Sequence, residues 1–83
     1  MKTVWLAIDK ENNEVKAHKF AETARNALFE RIKNEFFAMN AELPEAEKLS
    51  EEALMEEVNE EVIQAEDTPW LSRYAIKEII VED

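Results

Sequence analysis

None of the 83 residues is glycine, and that absence limits the chain more than any residue it contains. Backbone positions that need a positive φ fall to asparagine, which tolerates that region better than other side chains. The pair Asn12-Asn13 is therefore the expected two-residue hairpin loop, within Lys10-Glu11-Asn12-Asn13-Glu14. The same absence excludes the usual phosphate-cradling loops and dinucleotide fingerprints, which need glycine for close backbone approach.

Around that loop the pattern is β. Val4, Leu6 and Ile8 alternate with Thr3, Trp5 and Ala7 over residues 3–9, and residues 14–20 return as a second strand. A turn at Asn12-Asn13 sets Asp9 opposite Lys16, Ile8 opposite Ala17, Ala7 opposite His18 and Trp5 opposite Phe20, a register with one charge pair and one aromatic pair. The pattern then becomes helical. Ala24, Leu28, Ile32, Phe36 and Met39 form an amphipathic stripe whose start is capped by Thr23 or falls one or two residues earlier, with Phe29 at its edge and Phe37 pointing away. After Pro44, Ser50 is the expected N-cap of a second helix. Its narrow stripe is Leu54, Val58, Val62 and Ala65, and Pro69 stops it. Residues 73–81 read as a last strand, whose Ile79-Ile80-Val81 run suggests a central strand covered on both faces. The expected fold is α+β, one domain over residues 1–83, with order β-β-α-α-β and a three-stranded sheet with both helices packed on one face.

Charge is distributed unevenly. Of the net −10, residues 40–67 carry all: eleven acids against Lys48 alone, whereas residues 1–39 balance to +1. Such a field repels nucleic acid and anionic membrane and attracts basic surfaces, so direct nucleic-acid or membrane binding is not expected. With neither a membrane-length apolar run nor a signal-peptide pattern, the expected location is the cytoplasm.

Catalytic constellations are missing. One histidine and no cysteine make a zinc site improbable. A nucleophilic arrangement would need His18 with Ser50 or Ser72, and neither serine has a nucleophile-elbow context. Calcium-loop and di-iron patterns are absent too. No metal, cofactor or enzymatic activity is expected.

Two features remain. Glu52, Glu56 and Glu60 recur every fourth residue, rising about 6 Å per step, with Glu51, Glu57, Glu61 and Asp67 around them. Like charges at that spacing destabilise a helix by about 0.2–0.5 kcal/mol per pair. A face kept only for solubility would intersperse lysines, and none falls between Lys48 and Arg73. The second feature is aromatic. If the helices cover only the Val4 face of the hairpin, Trp5 and Phe20 need other cover: a satellite cluster closed by Trp70 and Tyr74, a second copy, or a partner that also meets Phe37.

The hairpin opening, the helix and the final strand Tyr74-Ala75-Ile76-Lys77-Glu78-Ile79-Ile80-Val81 resemble small proteins of phages and mobile elements. The charge gathered at residues 51–67 resembles the acidic, DNA-mimicking inhibitors among them, the anti-CRISPR and anti-restriction proteins. The resemblance implies an inhibitor in the host-cell cytoplasm. Its second-helix glutamates would occupy the basic groove of a protein partner such as a nucleic-acid-binding defence nuclease. The alternative is an adaptor or antitoxin-like protein, homodimeric or not, that binds through Trp5 and Phe20, with Phe37 and Trp70 near by.

Overall fold

In a computed structural model that describes residues 2–82, the order is β1 (Lys2–Asp9), β2 (Glu14–His18), α1 (Ala21–Ala41), α2 (Glu51–Asp67) and β3 (Tyr74–Val81). One-turn 3-10 helices at Glu45–Glu47 and Pro69–Leu71 precede α2 and β3. The sheet is antiparallel with order β2-β1-β3. The α+β class is as the periodicities predict.

The hairpin register differs from expectation. Asp9 pairs with Glu14, Ile8 with Val15 and Trp5 with His18, two residues from the expected alignment. Four residues, Lys10 to Asn13, make the connection, and only Asn13 among the described residues has a positive φ (55°). The two-residue loop needs positive φ at both asparagines. Asn12 instead binds Asp9: its backbone N–H and that of Glu11 donate to Asp9 Oδ1, and Asn12 Nδ2 donates to Oδ2. Phe20, set opposite Trp5 by the expected register, is the N-cap of α1 and lies outside the ladder. That helix begins at Ala21, two residues ahead of Thr23, so the earlier of the expected starts is the one adopted and Thr23 lies inside the helix.

Capping of α2 follows the local rule. Ser50 Oγ accepts from Ala53 N at 3.2 Å, and Thr68-Pro69 ends the helix.

The core is one cluster. Ala24, Leu28 and Ile32 of α1, Val58, Val62 and Ala65 of α2, and Tyr74 and Ile76 of β3 are buried together, with Trp5, Ala7, Phe29 and Phe36 packed against them. Pairing of Ala7 with Ile76 and of Asp9 with Tyr74 puts these strand residues on one sheet face. The covered face is thus that of Trp5, not that of Val4, and Trp5 is a core-side residue. Across the sheet, Val4, Leu6, Ile8, Val15, Ile79 and Val81 share the opposite face, and none of them belongs to the buried cluster.

β3 corrects a second expectation. It is an edge strand, and burial ends at Ile76: Ile79, Ile80 and Val81 are 40, 60 and 43% exposed. Their broken alternation reflects exposure on both faces, not burial on both.

Candidate functional site

α2 arranges its acids by geometry alone. At 100° per residue, the buried Leu54, Val58, Val62 and Ala65 define the inward direction. Glu52, Glu56, Glu60 and Asp67 lie close to the opposite direction, forming a ridge about 22 Å long. Glu57 and Glu61 lie about 100° round the helix, and Glu57 borders an apolar groove of about 240 Å³ with Phe36, Met39, Leu43, Leu49 and Leu54. Glu51 falls on the stripe's side but is exposed because it opens the helix. The seven acids singled out from the sequence are therefore one ridge, one flank and one end.

Electrostatically the ridge is bare. Glu66 is held by Arg25, whose Nε and Nη2 donate to its two carboxylate oxygens at 2.8 and 3.0 Å. Among the described residues, Glu51, Glu52, Glu56, Glu57, Glu60, Glu61 and Asp67 have no salt-bridge partner. Glu51 and Glu52 gain from the positive end of the helix dipole, whereas Asp67 sits at its negative end. Ile63, 56% exposed, lies on the ridge among the acids. Periodicity at the expected stripe gives no reason to notice it; its signal is an apolar residue on the acidic side of the wheel.

Of the aromatic residues, Phe20 and Trp70 are 67 and 73% exposed, Phe37 is half-buried, and Trp5 packs on the core.

Charged groups also meet where β1 ends, in a cluster that joins β1, α1 and the start of β3. Asp9 is 2% exposed. Arg73 donates to it through Nε and Nη2 at 3.0 and 3.1 Å, and Arg31 through Nε at 3.0 Å. Arg73 Nη1 donates to Glu35 at 2.7 Å, and the Tyr74 hydroxyl donates to the same carboxylate at 2.8 Å. Burial alone would raise the Asp9 pKa, but the hydrogen bonds from Arg73, Arg31 and the Asn12 backbone outweigh it and hold the carboxyl well below the usual range. These groups are spent on one another, so the cluster is a clamp on the fold. Arg73 and Arg31 stand 64 and 22 residues from Asp9, and nothing local in the sequence points to either.

Tyr74 provides a direct reading of this clamp, because it is the single tyrosine. Burial, then the hydrogen bond to Glu35, pushes its hydroxyl pKa well above the ordinary value. A neutral Tyr74 therefore stabilises the fold fully below about pH 10, the unfolded value, and this contribution fades as pH rises through the folded value. Ultraviolet titration of the folded chain at pH 11 should show almost no phenolate, where a free tyrosine is about 90% ionised.

His18 ends β2 opposite Trp5, on the helix side of the sheet. With Lys16, Glu14, Asp9 and Arg31 it lines a cavity of about 90 Å³, and its Nε2 has no hydrogen-bond partner among the described residues. Both serine hydroxyls considered for it accept from backbone N–H groups, Ser50 from Ala53 and Ser72 from Tyr74. Among the described residues no cluster of three metal-ligating side chains occurs, and no helix is long and apolar enough to cross a membrane.

No protein-family model, no curated protein and no solved structure matches the chain.

Proposed function

We propose that the protein is a non-enzymatic inhibitor that lays the α2 ridge into a basic, nucleic-acid-binding groove of a protein partner, in the manner of the anti-CRISPR and anti-restriction mimics. The observation that carries this reading is the row of α2 carboxylates without an internal cation. Beyond the dipole contribution of Glu51 and Glu52, no ion pair among the described residues offsets their repulsion. Pairs 52/56, 56/60 and 57/61 repel, at about 0.2–0.5 kcal/mol each, and Asp67 opposes the dipole. A ridge kept at that expense is accounted for by a partner's positive charge. Steps of about 6 Å along a straight helix present charges at intervals comparable to backbone phosphates, and Ile63 adds an apolar contact within the row, between Glu60 and Asp67.

Association of this kind is fast and weakens as salt screens it. The tagged chain, incubated with host-cell lysate at low salt, should retain a nucleic-acid-binding protein that elutes as salt rises and is displaced by duplex DNA. Retention that resists salt and DNA alike would remove the ridge from the contact.

A further inference from the structure

We propose that the apolar groove beside Glu57 is a docking site for a short basic segment of a protein partner, one that presents a single large apolar side chain between lysines or arginines. Size and lining set the anchor. The groove holds about 240 Å³ between Phe36, Met39, Leu43, Leu49 and Leu54. A cavity of about 150 Å³ with such a lining admits benzene, whereas sites for drug-sized molecules begin at about 300 Å³. One leucine- or phenylalanine-sized side chain fits the space between those limits. Met39, Leu43 and Leu49 are 59, 40 and 43% exposed, so the lining stands open to such an anchor.

The groove has a fixed wall. Asn40 on α1 binds the connecting segment twice: its Nδ2 donates to Leu49 O at 3.2 Å, and Leu49 N donates to its Oδ1 at 2.9 Å. These bonds hold the Leu49 side of the groove against α1, and the cap of α2 follows at Ser50. A partner meets a wall already in place, so association is spared the entropy of ordering it. Met39 supplies the adaptable part of the lining, since its unbranched thioether chain follows the shape of an anchor.

Charge decides the occupant. From Phe36 to Glu57, the first and last lining residues, the chain carries seven acids and one base, Lys48. Lys48 is held by Glu45 at 3.1 Å, and Lys33 lies about 10 Å back along α1 from Asn40. Glu57 lines the groove, Glu61 stands one turn beyond it, and Glu42 and Glu47 are exposed on the segment that carries Leu43 and Leu49. None of these four has a salt-bridge partner among the described residues. An apolar anchor with basic neighbours satisfies lining and surroundings together. One with acidic neighbours, or a second copy of net charge −10, meets repulsion. This contact does not depend on the ridge, and it would hold if the ridge met nothing.

Nuclear magnetic resonance of the methionine methyl groups tests this. The chain has three methionines. Met39 lines the groove, and Met55 lies across the buried stripe of α2 from Glu57. The probe is a short peptide with one phenylalanine at the centre of a run of lysines, titrated into the full chain. The Met39 signal should shift and saturate while that of Met55 stays. Alanine in place of the phenylalanine should weaken binding about tenfold or more, and glutamates in place of the lysines should abolish it. Leu43→Gln should bring the preference for phenylalanine over alanine close to one; should it fail to fold, Leu49→Gln replaces it with the same expected outcome. Glu52→Lys, Glu56→Lys and Glu60→Lys combined should weaken both lysine peptides and keep that preference, which separates the groove from the ridge. Equal binding of the phenylalanine and alanine peptides overturns the proposal, because the contact is then charge alone. So does equal binding of the glutamate-flanked peptide. A Met39 signal that moves with chain concentration before any peptide is added gives the groove to a second copy and overturns it too.

Discussion

Replacing Asp9 by alanine should lower the melting temperature by about 12 °C or more. The substitution leaves two guanidinium groups, Arg31 and Arg73, beside an emptied and largely buried position. Breaking a buried ion pair by deleting one partner costs about 3–5 kcal/mol. A chain of this length has a total stability of about 4–12 kcal/mol, and each kcal/mol shifts the midpoint by about 4–8 °C. Acid separates this mechanism from simple loss of packing. The folded carboxyl titrates below its unfolded value of about 3.9, so its stabilisation is complete above that pH and disappears as pH falls through the folded value. Thermal melts of wild type and variant should differ by a constant amount at neutral pH and converge below about pH 4. A difference that persists undiminished at pH 2 would assign the effect to packing. Glu66→Ala, which removes the exposed pair with Arg25, should leave the melting temperature nearly unchanged.

Reversing Glu52, Glu56 and Glu60 to lysine should reduce capture of a basic partner by about 100-fold or more. Like charges brought together across an interface cost several kcal/mol, and tenfold in affinity corresponds to about 1.4 kcal/mol. Each reversal adds two charges, so the net charge moves from −10 to −4 while the buried stripe is untouched. Helix content and melting temperature should therefore stay close to those of the wild type, with a stability change under about 1 kcal/mol. Titration of the partner recovered from lysate against both chains, at two salt concentrations, makes the comparison. Undiminished binding by the triple variant would exclude the ridge. A variant that binds weakly at low salt and no worse at high salt would show that the loss is electrostatic.

The sequence revealed what depends on neighbours and concealed what depends on distance. Ser50, the α1 stripe from Ala24 to Phe36 and Pro69 act within a turn or two, and each lies where the pattern predicts, whereas Met39, the last expected member of that stripe, is 59% exposed and outside the core. The hairpin register was out of reach because a shift of two residues leaves every side chain on its original face. Alternation cannot choose between Asp9 opposite Lys16 and Asp9 opposite Glu14; the turn hydrogen bonds to Asp9 and the pull of Arg31 on both Asp9 and Glu14 favour the second. The covered face was hidden for the same reason. Val4, Leu6 and Ile8 are the more apolar set, but Asp9 on the other set is made buriable by arginines 22 and 64 residues away. In the candidate site the acidic run was plain. That Glu66 alone among those acids is neutralised depends on Arg25, 41 residues off.

The opposition of ridge and stripe on α2 also governs how the protein can change over generations. Because the ridge acids make no ion pair among the described residues and lie opposite the buried stripe, each can be exchanged with Leu54, Val58, Val62 and Ala65 left in place. If the ridge meets a basic target, as proposed, a lineage whose target alters that surface can follow one glutamate at a time, with a foldable protein at every step. Asp9, Arg31, Arg73 and Glu35 have no such freedom, since each holds the others. Divergent descendants should therefore differ most along the outer side of α2 and least at the foot of β1, which is where relatives of this chain are to be sought.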